Sequence, residues 1–427
     1  MLGRVYGRVR RGLGEGREED QEKGLRWEDV KEVLKGMKDK KAVGIDGIPA
    51  EVWKYGGKEM ERWVWMICDR IWKGEGWIEE WNKGIIVPIM KKGEGINVEE
   101  YRGVLLTTAL YKRQVSKPGG KIVALFVDLR AAFDSVDRET LVKSIRDRGV
   151  REGLVVRCED VLREVRNRVR VGENLGECFW TGRGVRQGCP LSPMLFNLLT
   201  ADLEQELRGG RWEGVRLGEG NIFSLAYADD MVLLAEKEDG IKCMLARLER
   251  YLDGKGLELN VNKTRIMRFR KGGGRKRKMN WRWKEKVIEE VKEFSYLGYV
   301  VQSNEGQKAY VKERMRRGAA VMGKVWGMGK WRFKSDWGRR CWLFDALVWP
   351  VIGYGVEIWG WKERESLERL QERYLKWVLG VEWSTLGYMI REEVQRGKLR
   401  ERAGKRVLGF KLRLEEGRGS ELARRGD

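Results

Sequence analysis

Three aspartates stand where an apolar sheet would not ordinarily tolerate charge. Asp128 ends the run Ile122 to Val127, which is wholly apolar. Asp229 and Asp230 lie side by side between two strongly apolar stretches, Asn221 to Tyr227 and Met231 to Ala235. Ionised carboxylates beside a dry sheet are costly unless paired or bound to metal. Taken alone, the doubled aspartate fits an ordinary polar turn, where Asp is common. If the strand ending in Asp128 lies beside that hairpin, three carboxylates converge at one sheet edge. Such a cluster can hold two divalent cations about 3.5–4 Å apart, one activating an attacking oxygen and one stabilising a leaving oxygen. Two Mg2+ ions suit oxygen ligands and also bind substrate phosphates, with Mn2+ as the substitute. The chain has no histidine, so imidazole bases, Ser-His-Asp triads and Cys/His zinc sites are excluded. Its six cysteines are scattered without close pairs, which fits neither a disulfide framework nor a zinc site.

The elements that must position these acids can be read from periodicity. Helices are expected from Trp27 to Met37, through Trp53, and from Met60 to Trp72; Ile85 to Ile89 reads as a short strand. Thr140 to Arg148, Leu154 to Val165 and Ile241 to Leu252 read as helices, and Phe294 to Val301 as strand. Ser192-Pro193 is a helix start, with Ser able to cap and Pro at the first helical position, and the helix runs to about Leu207. Arg270 to Lys278, with three glycines and six basic residues, reads as an exposed loop. After Gln302 the text turns helical and tryptophan-rich: Trp326, Trp331, Trp337, Trp342, Trp349, Trp359, Trp361, Trp377 and Trp383. These are read as core anchors rather than base-stacking platforms.

At 427 residues the chain has room for two or three domains. Its 87 Lys and Arg against 65 Asp and Glu leave a net charge of +22, whose self-repulsion a polyanionic partner would offset. A merely solubilising surface is the other reading. No apolar run approaches a membrane span, and Met1 to Arg11 is basic with no apolar stretch after it, which does not fit a secretory signal.

Five blocks in order carry a resemblance. Ala124 to Leu129 with Ala132 to Asp137 resembles the first catalytic motif of reverse transcriptases, and Tyr227-Ala228-Asp229-Asp230 resembles their metal-binding hairpin. Gly184 to Pro193 resembles the motif between them; Asn260 to Thr264 and Tyr296-Leu297-Gly298 resemble the two that follow. The flanks, from Lys41 to Gly47 and from Arg373 to Val381, point to insect non-LTR (LINE-type) retrotransposons rather than group II introns. The resemblance implies an α+β right-hand polymerase: a basic tail at 1–26, fingers at 27–120, a palm with an antiparallel sheet at 121–301, and a helical thumb with a helical C-terminal extension at 302–427. It implies RNA-directed DNA polymerase activity, with an RNA template, a DNA primer or target, and dNTPs as partners, in a nuclear and cytoplasmic ribonucleoprotein.

The resemblance also assigns roles. Asp128, Asp229 and Asp230 hold the metals. Phe133 occupies the position whose ring crowds a ribose 2′-hydroxyl, although an isolated Phe there would read as core. Gln187 and Gly188 line the nucleotide pocket, and Lys91, Lys92 and Arg102 resemble fingers residues that neutralise the triphosphate. Lys263 matches a general acid for the pyrophosphate, or is a solvated loop lysine. Tyr296, Leu297 and Gly298 form the primer grip, or an ordinary strand. Between Leu106 and Asp128 the family has a long template-gripping segment, whereas here Lys112 runs directly into Arg113. An internally shortened copy lacking the endonuclease and zinc knuckle is therefore expected. The rival reading is a catalytically inactive remnant that only binds nucleic acid.

Overall fold

A computed structural model describes residues 25–37, 39, 48–73, 83–86, 121–163, 165–171, 174–186, 189, 191–208, 214–217, 220–227, 229–270, 279–304 and 307–417. The chain divides into two units. One is drawn from Met1–Gly93, Ala131–Asp202 and Gly254–Leu257, the other from Glu94–Arg130, Leu203–Asp253 and Glu258–Asp427.

The second unit is organised by a five-stranded sheet in the order Glu289–Glu290, Arg265–Arg270, Lys121–Val127, Asp230–Ala235, Ser224–Tyr227. Lys121–Val127 is central and antiparallel to both neighbours, while the Glu289–Glu290 edge runs parallel to its neighbour. Ile122 through Val127 and Met231 through Ala235 are all buried, as continuous apolar runs covered on both faces should be. Ile122, Ala124, Phe126, Val232 and Leu234 join one core with Tyr296, Tyr310, Phe344 and Tyr374. That core carries the sheet's packing into helices Lys308–Arg332, Trp337–Leu343, Glu365–Leu379 and Leu399–Glu415. Helix Glu238–Lys255 buries Ile241, Met244, Leu245, Leu248 and Leu252, the stripe that its 3.6-residue period predicts.

The first unit holds helices Trp27–Lys35, Ala50–Tyr55, Gly57–Lys73, Arg138–Arg146, Glu152–Leu162 and Ser192–Thr200. Its sheet pairs Lys83–Ile86 in parallel with Val165–Val171, which also takes Phe179–Thr181 antiparallel.

Three readings are corrected. Val165 does not end a helix; it opens a strand whose alternating Val165, Arg166, Asn167, Arg168, Val169 is a period-two pattern. The helix begun at Ser192 stops at Thr200 and restarts as Leu203–Arg208. Ser192 does not cap it: the residue is buried and its hydroxyl donates to the Arg186 carbonyl at 2.6 Å. The tryptophans, finally, are not uniformly core. Trp349 and Trp359 are buried, but Trp331 is 80% exposed, Trp342, Trp361 and Trp383 about as open as each other near 60%, and Trp337 46%.

Candidate active site

Register decides whether the acids meet. Lys121–Val127 and Asp230–Ala235 are aligned so that Val127 faces Met231. The ladder ends at that pair, and Asp128 and Asp230 are the next residues beyond it on the two strands. Directly opposed residues on antiparallel strands share a face, with Cβ atoms about 4.5–5.5 Å apart. Asp230 pairs on its other side with Tyr227, and Asp229 lies at a turn immediately before it. All three aspartates are half-buried.

Among the described residues, no three His, Cys, Asp or Glu side chains are grouped tightly enough to hold an ion unaided. The fold sets two of the acids at the end of one ladder, just beyond the Val127–Met231 pair, and the third at the adjoining turn. Like charges directly opposed across a ladder destabilise it, and a cation between them reverses that sign. Mg2+ is held by one or two carboxylates, with water and substrate phosphates filling the rest of its shell, so the donor chemistry of this pair fits it.

The other flank of Asp128 carries a contact that its sequence position did not suggest. The Asp128 N–H donates to Thr264 Oγ1 at 3.2 Å, and its carbonyl accepts from the Asn260 N–H at 2.8 Å. Leu129 makes an isolated antiparallel bridge to Leu259. The turn between them closes on itself, with the N–H groups of Lys263 and Thr264 both donating to the Asn260 carbonyl. Thr264 is fully buried and Lys263 is exposed. The Asn260 to Thr264 block thus sutures the Asp128 main chain in place and presents Lys263 on the same turn. The sequence singled out Lys263 and not Thr264, whose only signal was a hydroxyl beside the lysine.

Tyr296, Leu297 and Gly298 cap a hairpin of Glu293–Tyr296 and Tyr299–Gln302. Leu297 and Gly298 both have positive φ, 46° and 71°, as a two-residue primed turn demands. Leucine is a poor choice there, and remote side chains hold it: the Tyr354 hydroxyl donates to the Leu297 carbonyl at 2.7 Å, and Arg314 donates to that of Gly298. The hairpin reaches the acid-bearing strands through Phe126, 4.6 Å from Phe294 and 5.5 Å from Tyr296 between ring centroids. The Tyr296 hydroxyl points to the Asp230 carbonyl at 3.4 Å. Burial, reinforced by the Asp230 charge, raises this phenol well above its usual range, so it stays a neutral donor.

In the first unit, Phe133 is half-buried and packs on Phe196 at 5.2 Å, so it has both a core contact and an accessible edge. The Gly184 and Val185 N–H groups donate to the carbonyls of Val136 and Phe133, each at 2.8 Å. Arg138 clips the same loop through the Gly184 and Arg183 carbonyls. Gly184 has φ +83°, and a Cβ there would lie 2.8 Å from the Asp134 carbonyl oxygen. The start of that motif, Arg183 to Val185, is thereby laid against the segment around Phe133. Arg138 and Arg186 are both pulled below the usual guanidinium range, chiefly by burial, and Arg138 also by the charge of Arg186. Gln187 and Gly188 themselves lie outside the described residues, as do Lys91, Lys92, Arg102, the Lys112–Arg113 junction and 271–278.

Residues 87–301 match the family described as reverse transcriptase (RNA-dependent DNA polymerase). This chain belongs to that family. Its mixed helix and sheet architecture accords with the right-hand polymerase class. This reverse transcriptase is similar to the Pol polyprotein of the type-1 retrotransposable element R2 of Nasonia vitripennis, 32% identical over 41% of this chain and 17% of the relative. It is also similar to the R2 polyprotein of Popillia japonica, 30% identical over 40% of this chain and 24% of that one. The match thus spans less than a quarter of the length of these two relatives. Apo telomerase from Candida tropicalis, truncated from its C-terminal domain, aligns over 59% of this chain and 48% of its own, at 13% identity and a TM-score of 0.36, too distant a likeness to transfer residue roles.

Proposed function

We propose that this chain is the RNA-directed DNA polymerase core of a non-LTR retrotransposon, adding deoxynucleotides to a primer 3′-hydroxyl. The observation that supports the proposal is the strand register that aligns Val127 with Met231, one residue short of Asp128 and Asp230, at the end of a buried sheet. Asp128 and Asp230 would be the first ligands of Mg2+, with Asp229 joining from the turn. When bound, the divalent ions would activate the primer oxygen and neutralise the leaving group. The chain's own residues would do the positioning, which together with electrostatic stabilisation accounts for nearly all catalysis in a phosphoryl transfer. Thr264 and Asn260 fix the Asp128 main chain. The rigid Leu297-Gly298 turn and the neutral Tyr296 hydroxyl would hold the primer end against the Asp230 strand. Phe133 would exclude the ribose 2′-hydroxyl, Gln187 and Gly188 would line the nucleotide pocket, and Lys263 would protonate the departing pyrophosphate. Lys91, Lys92 and Arg102 would neutralise the triphosphate.

On this reading the described elements before 120 serve as fingers, the acid-bearing sheet as palm, and the helices after 302 as thumb and extension. The excess of basic charge suits an RNA template and DNA primer within a nuclear and cytoplasmic ribonucleoprotein. Primer extension on an RNA template with Mg2+ and dNTPs tests it. Product from the parent but none from Asp229→Ala is expected; binding without product from either chain would leave a nucleic-acid-binding remnant.

A further inference from the structure

Large indoles are seldom left in water at a rigid turn. Helix Lys308–Arg332 ends and helix Trp337–Leu343 begins within a few residues, and Trp331 and Trp337 stand on either side of the bend. They are 80% and 46% exposed. The bend between them is not slack. Arg340 donates to the carbonyls of Phe333 and Lys334, stacks 4.7 Å over the Trp377 ring, and its own carbonyl accepts the buried Tyr374 hydroxyl at 2.7 Å. Asp336 caps the second helix by accepting from the Arg339 N–H at 2.9 Å. The knuckle is thus tied to the core from behind while its outer surface carries two indoles.

Charge identifies the occupant. Lys330, Arg332, Lys334 and Arg339 are exposed within this stretch, against the single acid Asp336, which pairs with Arg339 at 3.2 Å. A purely apolar protein partner would have to desolvate these cations. Bases of an unpaired nucleic-acid strand offer flat faces to the indoles and phosphates to the cations, the combination by which proteins hold single strands without sequence preference. A cation beside an aromatic face adds to such binding.

We propose that the knuckle at residues 330–340 is a binding site for single-stranded nucleic acid, separate from the carboxylate pair. It deepens the polymerase reading by giving the chain a grip on an unpaired template or displaced strand, yet it can be measured without catalysis. The test uses the full chain with no dNTP or divalent metal, titrated against a labelled single-stranded oligonucleotide and, separately, a blunt duplex of equal charge. Trp331→Ala with Trp337→Ala is expected to weaken single-strand binding by roughly tenfold or more, the scale of one lost base stack. Duplex affinity should change little. Trp331→Tyr with Trp337→Tyr should restore most of the loss, because a stacking face returns. Lys330→Gln with Arg332→Gln should flatten the salt dependence by roughly one to two charges. Unchanged single-strand affinity in the double alanine variant would overturn the site. So would an altered sedimentation state with unaltered binding, which would make the knuckle a contact between copies. Neither result would touch primer extension, so failure here is distinguishable from failure of the polymerase reading.

Discussion

Thr264→Val removes one oxygen acceptor from beneath Asp128 and almost nothing else. Valine has the shape of threonine, and Thr264 is fully buried, so packing is preserved. What is lost is the partner of the Asp128 N–H, now 3.2 Å from Oγ1. A buried donor stranded in this way costs about 1–3 kcal/mol. Asp128 is only half-buried, so the lower part of that range, about 1–2 kcal/mol, applies. If all of it fell on the placement of Asp128, the correctly registered population would drop by about 5–30-fold. Thr264→Ser keeps the hydroxyl and loses one methyl, about 0.8 kcal/mol of burial. Urea unfolding should place both variants below the parent. Primer extension across a Mg2+ titration should separate them, with half-saturation raised several-fold for Val and near the parent for Ser. If Val and Ser show the same Mg2+ dependence, Thr264 supports the fold alone and the argument for positioning fails.

Other consequences are equally concrete. Gly184→Ala forces a Cβ against the Asp134 backbone at a left-handed φ, so a loss of about 1–3 kcal/mol or more is expected from denaturant midpoints. Phe133→Ala should admit ribonucleotides in single-turnover incorporation while Phe133→Tyr should not; equal discrimination in both would reduce Phe133 to its contact with Phe196. Asp137 caps helix Arg138–Arg146, and the Thr140 N–H, then its hydroxyl, lowers the carboxyl below its ordinary range. A depressed folded value means the stabilisation is complete above the unfolded carboxylate range and is lost as pH falls through the folded value. Asp137→Ala should therefore cost about 0.5–2 kcal/mol near neutrality, and the gap from the parent should narrow in acid.

The chemistry was legible because its residues break a rule locally. An acid after six apolar residues, and two acids inside an apolar hairpin, need no tertiary knowledge to stand out. Whether they meet depends on register, and the ladder aligns Val127 with Met231, one residue short of Asp128 and Asp230. Thr264 was invisible because its partner lies 136 residues earlier, and no local pattern encodes that distance. The parallel pairing of Lys83–Ile86 with Val165–Val171 was missed for a related reason: arginines alternate along the second strand and dilute its apolar signal. Leu297 shows tertiary override at a single residue, since glycine is the natural occupant of a positive φ and Tyr354 holds leucine there instead. The tryptophans misled by composition. Burial is the usual fate of an indole, and nothing in the spacing of Trp331 and Trp337 announced a turn braced by Arg340.

Diffraction from the chain crystallised with Mn2+, a primer–template and an incoming nucleotide measures the two-carboxylate claim itself. Anomalous density is predicted between Asp128 and Asp230, at ligand distances of about 2 Å from an oxygen of each. A manganese bound elsewhere, with the Asp128 side chain directed to the opposite face of the sheet, would contradict the account.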